Sequence, residues 1–277
     1  MPSSPDMPGI PPDIPGILLV AFGVTTRYGK PALAAFSEKV RAAFPGHVVR
    51  WAFTARHKVK RPTLGGEPGM NAADALSLFR AEGATRVAVQ PLHLVPGREH
   101  AALCRAATAW QQQHPETIIA MGDPLLADDA AMRAVTRAML RITGPRTEPD
   151  EAVIWVGHGS RDPSCAHFTR VAALAEKCAP HMYMGHLSNG GNAGEILAKL
   201  TAAGRTKARL MSFFTLSGYH AARDVAGKGG NSWRSRLQGA GILCRITLRG
   251  MLEYDDFSAM WLERLAQTLA RLEKNRA

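Results

Sequence analysis

No run of this sequence reaches the about eighteen consecutive apolar residues that a membrane-crossing helix needs, so a helical membrane span is not expected. Its four cysteines, Cys104, Cys165, Cys178 and Cys244, form no CxxC pair and no zinc-ribbon spacing. A disulfide framework is not expected in a chain of 277 residues; the four read as small buried thiols. Residues 1–16, MPSSPDMPGIPPDIPG, lack the basic and apolar regions of a secretory leader and read as a disordered, proline-rich lead-in. Cytoplasm is the expected compartment. Aromatic residues make up only 6% of the chain. The basic residues are mostly scattered and no nucleic-acid motif appears, so the net charge of +11 calls for an anionic partner other than DNA or RNA. GVTTRYGKP (23–31) is not a phosphate-binding loop, because five residues separate Gly23 from Gly29 and Pro31 stands where a magnesium-binding Ser or Thr would be. Ser160 is not the centre of a GxSxG nucleophile elbow.

What is present is an alternation. Short apolar runs at 17–23, 48–54, 86–95 and 117–123 read as strands, followed by amphipathic helices near 31–44, 70–82, 99–112 and 128–141. After a polar, proline-bearing linker at 144–150 the order repeats. Strands are predicted at 152–158, 181–187, 207–216 and 242–248, and helices near 165–178, 192–203, 231–238 and 256–272. The pattern predicts an α/β fold of two similar lobes with parallel sheets, 17–143 and 151–277, around a central cleft. In open α/β sheets ligands bind beyond the carboxyl ends of the strands, so the polar groups placed there are the candidates.

Four loops supply them. RHKVKR carries Arg56, Lys58, Lys60 and Arg61, a basic cluster suited to a polyanionic small molecule. PLHLVPGREH (91–100) carries His93 and Glu99; WVGHGS (155–160) carries His158, flanked by glycines, and Ser160; SFFTLSGYH (212–220) carries His220. Aligning Gly97 with Gly218 sets Glu99 opposite His220. Two imidazoles and a carboxylate suit a borderline divalent cation such as Co²⁺, Fe²⁺, Ni²⁺ or Zn²⁺ better than Mg²⁺ or Ca²⁺. Three ligands from separate loops, not four, point to a metal that is passed on. His93 shares strand parity with Glu99 and is either a supporting residue or a satisfied interior histidine.

These stretches, with VAFGVTT (20–26), WAFTARH (51–57), LSGYHAARDVAG (216–227) and NSWRSRLQGAGI (231–242), resemble the class II chelatases. Among these the resemblance is to the anaerobic-pathway sirohydrochlorin cobaltochelatases of cobalamin biosynthesis, and it runs from about residue 17 to 273. It implies two flavodoxin-like lobes and ATP-independent insertion of Co²⁺ into sirohydrochlorin, with Glu99, His158 and His220 as metal ligands and His158 and Glu99 in catalysis. Arg56, Lys58, Lys60, Arg61, His93 and Ser160 are the expected substrate contacts. No resident cofactor is expected; Co²⁺ is the metal substrate, with Fe²⁺ or Ni²⁺ open, and no membrane or nucleic-acid partner is expected. Oligomeric state is not legible, and a homo-oligomer stays open. The alternatives are ferrochelation of the same substrate for siroheme, and a tetrapyrrole- or haem-binding protein without turnover. Three departures make the site less negative than the family pattern: GHLSNGGN with His186 and Ser188, Tyr219 before His220, and KGG at 228–230.

Overall fold

The computed structural model describes residues 14–23, 29–55, 69–144, 148–159 and 162–274. The first half runs β1 (Gly16–Ala21), α1 (Gly29–Ala43), β2 (Val49–Phe53), α2 (Ala72–Ala81), β3 (Arg86–Pro91), α3 (Arg98–Gln113), β4 (Ile118–Met121) and α4 (Asp129–Thr143). The second repeats it: β5 (Glu151–Gly157), α5 (Cys165–Cys178), β6 (Met182–His186), α6 (Ala193–Ala202), β7 (Lys207–Ser212), α7 (Trp233–Gly239), β8 (Leu243–Thr247) and α8 (Asp255–Lys274). Each half forms a four-stranded parallel sheet, of order β2-β1-β3-β4 and β6-β5-β7-β8. This is the α/β architecture expected from the alternation.

Strand parity explains the layers. Ile17, Leu19 and Ala21 of β1 face a central core, joined there by Val153 and Trp155 of β5 and by Met211 of β7. Between the two sheets lie α1, α4, α5 and α8, contributing Phe36, Val135, Val171 and Trp261 among others. The alternate residues face outward. Leu18 and Val20 pack with α2 and α3, and Ile154 and Val156 pack with α6 and α7. One apolar layer therefore serves both sheets. The last helix, α8, packs on β3 and β4 of the first sheet. Arg264 bonds Asp128 (3.0 Å), Arg271 bonds Asp123 (3.1 Å) and Arg86 bonds Glu273 (2.8 Å), tying it there. Gly122 permits the close approach, since a Cβ would lie 2.8 Å from Thr268 Oγ1 of α8.

The predicted strands 86–95 and 207–216 stop early, and for the same reason. Beyond one further ladder bond (Leu92 N–H to Val20 O, and Phe213 N–H to Val156 O), the chain turns to other partners. His93 and Leu94 accept from Leu125 and Leu126, while Phe214 and Thr215 accept from Met251 and Leu252. The matching bonds confirm the alignment of Gly97 with Gly218. The cysteines are free, but Cys165 and Cys178, at the two ends of α5, are exposed where buried thiols were expected. No described helix is long and apolar enough to cross a membrane.

Candidate active site at the carboxyl end of the second sheet

In the strand order β6-β5-β7-β8 the chain reverses direction between β5 and β7, the place where such sheets bind ligands. His158 follows β5 directly, and His220 follows β7 after a short loop. Both glycines beside His158 are needed by what crowds them. A Cβ on Gly157 would lie 3.0 Å from Phe213 O, and one on Gly159 would lie 2.5 Å from Ser188 Oγ. Gly159 also adopts φ +68°, in the left-handed region that favours glycine. His158 is thereby held on a tight turn with its ring edge against Phe214 (centroids 4.6 Å apart) and open to solvent on the other side.

His220 begins a π-helical turn, Ala221–Val225, a feature frequent at functional sites. Ala221 and Val225 are buried and anchor it. The turn carries Asp224 back under the imidazole, and with Nδ1 protonated His220 donates to Asp224 Oδ2 at 2.7 Å. That leaves Nε2 with its lone pair. A histidine whose far nitrogen is held by a carboxylate is the usual arrangement behind a metal ligand. The two imidazoles meet nearly at right angles, with centroids 4.7 Å apart.

Desolvation by the surrounding protein pushes the His158 pKa down to about 4, helped by His220 and opposed by Asp224. Although the ring reaches cleft water, the direction is set by the protein walls, so the imidazole is neutral at pH 7. A neutral imidazole can ligate a cation or accept a proton.

The pair opens on a cleft of about 740 Å³. His186, Asp162 and Asp224 also line it, as do Trp233, Arg98, Arg223 and Arg236. Nδ1 of His186 lies 3.2 Å from Ser188 O, and Asp162 accepts from the Ser164 backbone N–H at 2.9 Å. Of the residues expected from sequence, His158 and His220 come together. Glu99 does not join them. It is exposed on the first turn of α3 and is not among the described residues lining the cleft, although its neighbour Arg98 is. Equivalent residues occupy equivalent places in different halves, so Glu99 corresponds to His220 but on the first sheet. By the same hydrogen-bond match Phe22 stands where His158 stands, and among the described residues of the first half no imidazole pair occupies that place. Among the described residues no three His, Cys, Asp or Glu side chains converge as a ready-made cation site. Arg56, Lys58, Lys60, Arg61 and Ser160 lie outside the described residues. His93 sits apart from the cleft, with Nε2 3.4 Å from Thr54 Oγ1 and a buried Nδ1 that has no partner among the described residues. Asp162, Arg223 and Arg236 carry no signal in the sequence; Asp224 is marked only as the last residue of the GxHxxxD pattern and Arg98 only as a polar neighbour of Glu99, neither as a site residue.

Comparison with known proteins accords with this geometry. The profile of the cobalt chelatase family (CbiK) matches residues 15–270. The chain is 36% identical over 258 residues to the sirohydrochlorin cobaltochelatase CbiKC of Nitratidesulfovibrio vulgaris, covering 93% of this chain and 92% of that one. It is 28% identical over 203 residues to the sirohydrochlorin cobaltochelatase of Salmonella typhimurium, covering 70% and 73%. In fold it is similar to SirB from Bacillus subtilis with Fe³⁺, at a TM-score of 0.67 and 21% identity over 94% of this chain and 98% of that one. The chain, with its paired sheets and its two facing imidazoles at the second sheet's switch point, belongs to the cobalt chelatase family.

Proposed function

We propose that this protein inserts Co²⁺ into sirohydrochlorin, without ATP, at the cleft above His158 and His220. The observation that carries the reading is the pair of imidazoles 4.7 Å apart, one backed by a carboxylate, in a chain 36% identical to a sirohydrochlorin cobaltochelatase. Insertion places Co²⁺ among four pyrrole nitrogens and releases two N–H protons, one to His158 and the other to solvent. His158, neutral at pH 7, accepts a proton and faces the ion. His220, oriented by Asp224, holds the ion through Nε2 until the macrocycle's four nitrogens outcompete the protein. A permanent four-ligand cage would defeat that release, so a sparse donor set is what a transferred metal requires. Glu99, exposed beside Arg98 and outside the cleft lining, is given no bond to the ion. The basic cluster of Arg56, Lys58, Lys60 and Arg61 attracts the polycarboxylate substrate. We place the reaction in the cytoplasm.

Mixing purified protein, metal-free sirohydrochlorin and Co²⁺ and following the absorbance change tests the proposal. Insertion faster than without protein is expected. A rate at the uncatalysed level, with the tetrapyrrole bound, would make the protein a carrier. Initial rates with Co²⁺, Fe²⁺ and Ni²⁺ on the same substrate then rank the metals.

A further inference from the structure

Most arginines in this fold hold a carboxylate: Arg50 with Glu82, Arg209 with Glu151, Arg264 with Asp128, Arg271 with Asp123. Arg98 and Arg236 do not pair with any carboxylate among the described residues, and both line the cleft. They arrive from opposite halves. Arg98 is the first residue of α3, whose start abuts the second half so closely that a Cβ on Gly97 would lie 3.0 Å from Ser164 Oγ. Arg236 is on α7, fixed by Ser232, whose hydroxyl accepts from the Ser235 N–H, and by buried Trp233 against Gly185. The acids of the same cleft are already engaged. Asp162 takes the backbone N–H of Ser164, and Asp224 takes His220 with Arg223 alongside at 3.6 Å. The cleft thus presents two guanidinium groups with no carboxylate partner among the described residues beside the imidazoles of His158 and His220, and planar guanidinium matches carboxylate geometry in a way an ammonium does not.

We infer that Arg98 and Arg236 form a carboxylate clamp that grips acid side chains on two edges of the tetrapyrrole and sets its inner nitrogens over His158 and His220. The inference rests on the proposed tetrapyrrole substrate and adds what selects it. A macrocycle with its peripheral acetates replaced by methyl groups binds poorly, because the arginines then lose their partners.

The test uses Arg98→Gln, Arg236→Gln, the double variant and Arg98→Lys in the full-length protein, with thermal melts to confirm folding. Fluorescence titration of metal-free sirohydrochlorin gives Kd, and initial rates give KM for each substrate. Each Gln variant is expected to raise Kd and KM for the tetrapyrrole by about 5–20-fold, in the range of a partly exposed charge-assisted hydrogen bond. KM for Co²⁺ and kcat should move less than about twofold, as expected when only ground-state binding is lost. The Lys variant should fall between, and the double variant should show a flatter salt dependence of Kd. An unchanged Kd in the folded double variant, with wild-type insertion intact, overturns the clamp alone. Arginine-dependent binding in a protein that does not insert Co²⁺ keeps the clamp and overturns the chelatase reading.

Discussion

Replacing Asp224 tests whether the His220 imidazole works because it is held. Its Nδ1–H···Oδ2 bond is 2.7 Å long, and the side chains are 52% and 30% exposed. A hydrogen bond to a charged group contributes about 1.5–3 kcal/mol when sheltered. Solvent at this half-open site reduces that to about 1–2 kcal/mol, or about 5–30-fold in affinity. Asp224→Ala should therefore raise KM for Co²⁺ by about 5–30-fold, and Asp224→Asn, which keeps a neutral acceptor, should raise it less. KM for sirohydrochlorin should stay put, and saturating Co²⁺ should restore most of kcat. The assay is initial insertion rate at fixed sirohydrochlorin across a Co²⁺ titration, with a thermal melt as the folding control. If KM for Co²⁺ is unchanged, or kcat falls and excess ion does not restore it, Asp224 does not act through metal capture and the argument is wrong.

His158→Ala should nearly abolish insertion at every Co²⁺ concentration, whereas His220→Ala should be partly rescued by excess ion; equal rescue of both would show that neither is uniquely the base. Glu99→Gln, on an exposed turn outside the cleft, should cost less than either in the same assay. His93, its pKa lowered to about 4 first by burial and then by His100, is neutral in the fold where the unfolded chain is charged. Below the unfolded pKa of about 6.5 the unfolded state binds more protons, so stability falls from pH 6.5 to 4 by up to about 3 kcal/mol from this residue. Urea melts across that range should show a shallower loss in His93→Gln, with His100 and His158 sustaining the remainder, and an identical slope would exclude His93 as its source. Trp261→Ala, fully buried in the layer shared by both sheets, should cost about 3–5 kcal/mol and keep a single unfolding transition by calorimetry. Two separated transitions would mean that the halves do not depend on one core. Replacing Lys58, Lys60 and Arg61 together by Ala should raise KM for sirohydrochlorin far more than it lowers kcat, and an unchanged KM would return the cluster to a solvated loop.

Much of the fold was legible because it is local. Among the described residues, apolar runs bounded by turn residues placed the eight strands, and 3.6-residue periodicity placed the eight α-helices within a few residues. The duplicated order was visible too, and the glycines around His158 marked a special turn before any neighbour was known. What sequence alone determined here was therefore the set of elements, their repetition and the two imidazoles at strand ends. Tertiary structure decided the rest. Periodicity shows that α8 has an apolar face but not that this face meets β3 and β4. The alignment of Glu99 with His220 was sound as a register, yet a register does not say which equivalent places meet: Arg98 lines the cleft with His220 and Glu99 does not. Arg98 reaches the second half's cleft only because Gly97 lets α3 start against Ser164. The i,i+4 spacing of His220 and Asp224 was readable, but the π turn that carries the pair was not. Side-chain chemistry is written residue by residue, but which groups share a cleft depends on contacts between segments far apart in the chain, and those exist only once the common core has formed.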